Sequence, residues 1–229
     1  MATDARYWTL VASLPALPDF ERAERLPINP ERLGERLAML EPDDAAEAAR
    51  VQDFLHWQRQ PVDRTDAAVI AGYRRLMDET RNPTLRAIAT YRLERRVVQA
   101  ALRRRHEGLD PLVPEAIDAL PDLARTIRDH ASAFDLGLGR QFPWIAGMAE
   151  LLEAGDAYGL ERFLMRQVWD RLGRLAEGRP FAFDAVLVYL FRWDILARWL
   201  AYDAGRAARR FDRLVSEALG EHDDPFATA

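Results

Sequence analysis

The 229-residue sequence predicts an all-α fold, a multi-helix bundle of about ten helices. Apolar residues recur at helical spacing, as with Val69, Ile70, Tyr73, Leu76 and Met77 at i, i+1, i+4, i+7 and i+8. No convincing strand alternation follows residue 20, and no repeat period is visible. The stretch FAFDAVLVYLFRWDILARWLAYD, Phe181 to Asp203, is apolar around nearly its whole helical circumference. Such a helix must be enclosed by other helices or by lipid. Arg192, Asp194 and Arg198 interrupt it, and the unbroken apolar run before Arg192 falls far short of the ~18 residues a membrane span needs. It is therefore expected to be the central helix of a soluble bundle. Asp194 and Arg198 are four apart with the acid first, so they are expected to pair along the helix. Arg192 has no such partner within its own helix.

Taken in order, the other elements follow from caps and breakers. Tyr7 to Leu14 is a short apolar run ended by Pro15 and Pro18, too short for periodicity to separate strand from buried helix. Asn29-Pro30 reads as an N-cap followed by proline at the first helical position, opening a helix with Leu33, Leu37 and Leu40. Pro42-Asp43-Asp44 opens the next, which carries Val51, Phe54, Leu55 and Trp57. Asp63 is expected to cap the helix of Val69 to Met77. Asn82-Pro83 opens a long helix that runs to about His106 and stops at Gly108. Pro111, Pro114 and Pro121 divide the next stretch into short helices, and Asp135–Gly139, DLGLG, is a glycine-bearing break. Phe142-Pro143-Trp144 opens a helix that Gly155 ends, and Asp156 can cap its successor. Gly178-Arg179-Pro180 leads into the central helix, and a separate last helix is expected around Phe211, Leu214, Val215, Ala218 and Leu219, closed by Gly220. The chain reads as a single helical domain over 1–229, weakest at Pro111–Pro121, where two lobes (1–110 and 111–220) can separate. Residues 221–229 are expected to be a frayed tail.

Composition narrows the function. At 49% hydrophobic and 30% charged, the chain is of the globular type. A net charge of −5 argues against general nucleic-acid binding. There is no cysteine, which excludes a disulfide framework and a thiolate nucleophile or metal ligand. Every basic residue is arginine, so no Schiff-base or P-loop lysine exists. The first residues lack the basic region and long apolar core of a signal peptide, which makes the cytoplasm the expected location.

No catalytic or cofactor constellation is legible. His56, His106, His130 and His222 form no HExxH or HxxxH pair, and separate surface histidines explain them. Ser13, Ser132 and Ser216 lie in no GxSxG elbow. Gly137-Leu138-Gly139 has neither the full GxGxxG nor a preceding strand, and reads as a helix connection. Asp43-Asp44 suits a helix N-terminus, and Asp223-Asp224 lies in the tail. Accordingly, no catalytic residue, metal ligand or cofactor is expected.

The best candidate surface is on the long helix. Arg92, Arg96, Gln99 and Arg103 fall on one stripe, with Arg95 at its edge, while apolar residues occupy most of the remaining circumference. A solvated face explains it, and so does a partner interface in which forked cations grip an acidic surface. Glu94 sits opposite, among apolar neighbours, and is expected to be the buried counter-charge of Arg192.

Three stretches resemble a known bacterial family. Tyr7-Trp8-Thr9-Leu10-Val11-Ala12-Ser13-Leu14-Pro15 is similar to its Y-[YF]-x-L-[VI]-A-S-L-P opening. Leu136 to Ile145 resembles its G-x-x-x-x-F-P-W-I segment, and Phe181 to Trp199 its F-x-F-x-x-[VI]-L-x-Y-L…[IL]-L-x-R-W segment. The family looks like a short form of the C/d subunit of V-type (A/V-type) ATPases, and its members are found alongside V-type ATPase subunits. The resemblance implies a non-catalytic, all-helical adaptor. It would bind central-stalk and membrane-ring subunits, and be peripheral to the inner membrane through the complex. It brings no defined functional residue with it. The chain is shorter than a full-length C/d subunit. The alternatives read from the residues themselves are a small helical enzyme or ligand-binding protein with an aromatic pocket around Trp144, Trp169, Trp193 and Trp199, and a freestanding helical scaffold.

Overall fold

The computed structural model describes residues 6–56, 65–112, 119–175 and 177–220, with side chains at 203, 204 and 206–220 left aside. Among the described residues there are nine α-helices, one 3-10 turn and no strand. The helices are α1 (Trp8–Ser13), α2 (Pro30–Leu37), α3 (Pro42–Leu55), α4 (Asp66–Glu79), α5 (Pro83–His106), α6 (Pro121–Asp129), α7 (Ile145–Glu153), α8 (Ala157–Leu175) and α9 (Phe183–Gly220). The all-α expectation holds. Trp57, Asp63, Pro114 and the tail from 221 lie outside the described residues.

The caps explain most boundaries. Asn29 accepts from the Arg32 amide at 2.9 Å, and Asn82 accepts from the Leu85 amide at 3.0 Å. In each case the following proline occupies the first helical position, where a missing N–H costs nothing. Thr65, not Asp63, caps α4 by accepting from the Ala68 amide at 3.2 Å. The cap must stand directly before the first helical residue, and Asp63 is two positions too early. The end of α5 carries Arg103, Arg104, Arg105 and His106 in its last turn, where cations meet the negative end of the dipole. Gly108, at φ 72°, then turns the chain away, with the Leu109 amide donating to the Arg104 carbonyl at 2.8 Å.

The expected central and last helices are one. α9 runs unbroken for 38 residues from Phe183 to Gly220. The joining sequence, Ala204-Gly205-Arg206-Ala207-Ala208, has one glycine, no proline and no capping residue. Alanine and arginine favour the helix enough to carry it across a single glycine.

From Phe183 to Leu200 no residue of α9 is exposed. The helix is therefore enclosed by protein on all sides, as its apolar circumference requires. One core packs α9 against α1, α2, α3, the start of α5 and the end of α8, around Phe20, Val51, Leu85, Leu187 and Leu196. Phe20 has ring centroids 5.5 Å from both Trp169 and Trp199. Such aromatic pairs add about 0.5–1.5 kcal/mol each beyond the area they bury. A second core packs the later half of α5 against α6, α7 and the first half of α8, around Val98, Ile127, Leu136, Ile145 and Met148. α5 and α8 each supply residues to both cores. The space between α5, α8 and α9 holds a cavity.

Candidate functional site

The cavity, of about 250 Å³, is walled by one face each of α5, α8 and α9 and closed by Leu55 and His56 at the end of α3. From α5 come Ile88, Tyr91, Arg92, Arg95, Gln99 and Arg103. From α8 come Glu161, Leu164, Met165, Val168, Arg171 and Leu172, spaced so that successive turns face the same way. From α9 come Phe191, Asp194, Ile195 and Arg198, at i, i+3, i+4 and i+7. Five guanidinium groups thus share the wall with two carboxylates and a large aliphatic surface.

The stripe predicted on α5 is real but rotated. At about 100° per residue, Arg92, Gln99 and Arg103 lie within about 40° of one another, Arg95 lies on one side of them and Arg96 on the other. The face that turns inward is centred towards Arg95. Arg95 is buried and donates through Nη1 to the Leu164 carbonyl at 3.1 Å. Arg92 is half-buried, and Arg103 is exposed at the rim. Arg96 falls outside the cavity, on the surface, where its Nη2 is 2.9 Å from Asp66 Oδ1 on α4. Arg92 and Arg95 thus turn in from the surface, while Arg96 and Arg103 reach it.

Burial and neighbouring cations destabilise the inward arginines. Arg92 is lowered from the ordinary 12.5 to about 9, chiefly by burial, then by the proximity of Arg95, Arg198 and Arg96. Arg95 is lowered to about 10, again chiefly by burial, with Arg198 adding repulsion and Glu161 opposing it. A guanidinium stays charged near neutrality, so these groups are held as cations at a cost in energy. Among the described residues, Arg92 and Arg198 have no hydrogen-bond or ion-pair partner, and Gln99 Nε2 is buried without an acceptor.

The ion pair expected between Asp194 and Arg198 does not form. Asp194 Oδ2 lies 3.2 Å from His56 Nε2 and accepts from Gln52 Nε2 at 3.1 Å. The two groups on and beside the end of α3 reach Asp194 across the helix interface and leave Arg198 facing the cavity. The pairing of Glu94 with Arg192 is absent too. Arg192 donates from Nε and Nη2 to the Trp169 carbonyl at 3.1 and 2.9 Å, and its guanidinium lies 4.7 Å from the Trp169 ring centre. Stacking on the ring plus a forked bond satisfies it without a carboxylate. Glu94 borders a separate surface groove with Leu120, Asp122, Thr126 and Gln141, and burial raises its carboxyl above the usual range.

Gln52, Glu161 and Arg171 are not singled out by the sequence alone, and His56, expected as a separate surface histidine, is instead half-buried against Asp194. The Glu161–Leu164–Val168–Arg171 and Phe191–Asp194–Ile195–Arg198 spacings carry a signal, since each places charge and apolar surface on one helical face. Their convergence needs the third dimension. Trp144, Trp169, Trp193 and Trp199 are buried in the cores and do not line the cavity.

Residues 35–221 match the model of a family described as "Protein of unknown function (DUF2764)". The chain belongs to this family. The DUF2764 match takes in every residue that lines the cavity and leaves Tyr7–Pro15 outside. No curated protein and no solved structure matches the chain.

Proposed function

We propose that the protein is a non-catalytic subunit of a bacterial V-type (A/V-type) ATPase, a C/d-like adaptor between central stalk and membrane rotor ring in ion transport coupled to ATP hydrolysis or synthesis. One observation carries the reading. Two of the stretches that bear the resemblance, far apart in sequence, form a joint. The Tyr7 amide donates to the Phe181 carbonyl at 3.1 Å. The Tyr7 ring lies 5.9 Å from Phe183, and Trp8 lies 6.4 Å from Phe181. The Tyr7 hydroxyl donates to Asp44 and accepts from the Glu41 amide at 3.2 Å, which ties the joint to the start of α3. Motifs that meet in space read as one structural device rather than as coincidences of composition.

The all-helical fold agrees with what the resemblance implies. Among the described residues no helix is long and apolar enough to cross a membrane, which fits attachment through a complex. Affinity purification of the tagged chain from solubilised native membranes tests the reading. Co-purification of stalk and ring subunits, with no ATP turnover by the isolated chain, is the expected result. Recovery of the chain without any ATPase subunit removes the reading's support.

The cavity favours a second reading, a helical ligand-binding protein. It is arginine-lined and aliphatic rather than walled by tryptophan. The two readings are compatible, because an adaptor can also hold a small molecule.

A further inference from the structure

We infer that the cavity between α5, α8 and α9 binds an amphiphilic anion, a small organic molecule with one phosphate or carboxylate head and an apolar body.

The donor balance sets the charge of the ligand. Arg92, Arg95, Arg103, Arg171 and Arg198 face only two carboxylates, Glu161 and Asp194. Asp194 is already engaged by His56 and Gln52. Arg171 stacks on Tyr91, its guanidinium 4.4 Å from the ring centre, and Arg95 spends one N–H on the Leu164 carbonyl. That leaves the forks of Arg92 and Arg198, and of Arg103 at the exposed rim, with the buried Gln99 amide, as donors without acceptors among the described residues. An oxyanion offers several acceptors to such a set and takes bidentate bonds from guanidinium groups. The apolar part of the lining, shared among α5, α8 and α9, sets the ligand's body. Ile88, Leu164, Val168, Leu172 and Ile195 present aliphatic surface and no polar side chain. The volume of about 250 Å³ equals that of roughly eight waters at about 30 Å³ each, room for a short chain or a single ring below the head.

A purely structural role predicts a different arrangement. Arginines that only brace helices are satisfied by the protein, as Arg166 is by Asp19 and Glu21, and Arg192 by the Trp169 carbonyl. Arg92 and Arg198 instead share a partly buried space with other cations. Exchange of such a cation for an apolar side chain of similar size should cost no stability, because it relieves repulsion and desolvation.

The test uses the purified full chain and follows thermal unfolding with inorganic phosphate, hexyl phosphate and hexanoate as probes. Hexyl phosphate and hexanoate raise the midpoint, and inorganic phosphate raises it less. Arg92→Met and Arg198→Met keep or raise the midpoint in anion-free buffer and weaken the response to hexyl phosphate by about tenfold or more. Flotation with vesicles containing phosphatidic acid separates the sources of the head. Arg92-dependent flotation means that a lipid supplies it, and a response to hexyl phosphate without flotation means a soluble ligand. The inference is overturned if neither hexyl phosphate, hexanoate nor the vesicles bind. It is equally overturned if the response survives both substitutions, or if both variants lose stability in anion-free buffer while wild-type binding is no tighter to hexyl phosphate than to inorganic phosphate.

Discussion

Arg192 and Glu94 show how a single residue's environment decides its role. Both stand on helices with mostly buried surroundings, and the sequence offers each as the other's partner. The structure satisfies Arg192 with a carbonyl and an indole ring, and leaves Glu94 with a carboxyl raised by burial. A carboxyl raised in the folded state is destabilising above its raised value. The penalty disappears as the pH falls below the ordinary carboxylate range, where folded and unfolded chains both bind the proton. Glu94→Gln is therefore expected to match or exceed wild-type stability near neutral pH, with the difference shrinking in acid; urea titrations at the two conditions check it. Asp19 behaves oppositely. Its carboxylate is held below the usual range, first by hydrogen bonds from Arg166, whose Nη1 and Nη2 lie 2.7 and 2.8 Å away. That contribution is full above the ordinary carboxylate range and is lost as the pH falls through the lowered value. Asp19→Asn should be less stable than wild type near neutrality, and the two urea midpoints should converge in strong acid. A constant gap across the range would mean that packing, not charge, sets the effect.

Among the helices, α9 is where local sequence and tertiary structure diverge. The sequence reads as a central helix followed by a separate last one, yet one helix continues through Gly205 to Gly220. In a continuous helix Gly205→Ala should stabilise by about 0.5–1 kcal/mol, because glycine costs that much relative to alanine in a helix interior. A loss of stability on the same substitution would indicate a cap rather than an interior position. Chemical denaturation measures the sign directly. The boundaries legible in the sequence, at Asn29-Pro30 and Asn82-Pro83, are those where a side-chain acceptor and a proline act together on adjacent residues. Thr65 is less legible because Asp63, two positions earlier, is an equally good capping residue. The stripe on α5 is legible as a group of arginines, but its direction is not. A wheel gives the angles between Arg92, Arg95 and Arg96, whereas α8 and α9 decide which of them turns inward. Likewise, the spacing of Asp194 and Arg198 suits a pair within one helix, and only the approach of His56 and Gln52 shows why Asp194 turns elsewhere.

At the scale of the whole molecule, two cores share the long helices α5 and α8, and the arginine-lined cavity lies where those helices meet α9. The joint between Tyr7–Trp8 and Phe181–Phe183 fixes the start of α9, so the N-terminal motif and the central helix act together. In the proposed adaptor, that rigidity would let a helical body transmit torque between stalk and ring while hydrolysing nothing itself. The most direct measurement is ATP-driven ion pumping in inverted membrane vesicles from cells lacking this chain. Pumping should be lost and adding back the full chain should restore it, with ATP hydrolysis by the catalytic head no longer coupled to transport in its absence. Pumping at the wild-type rate without the chain would contradict the adaptor role.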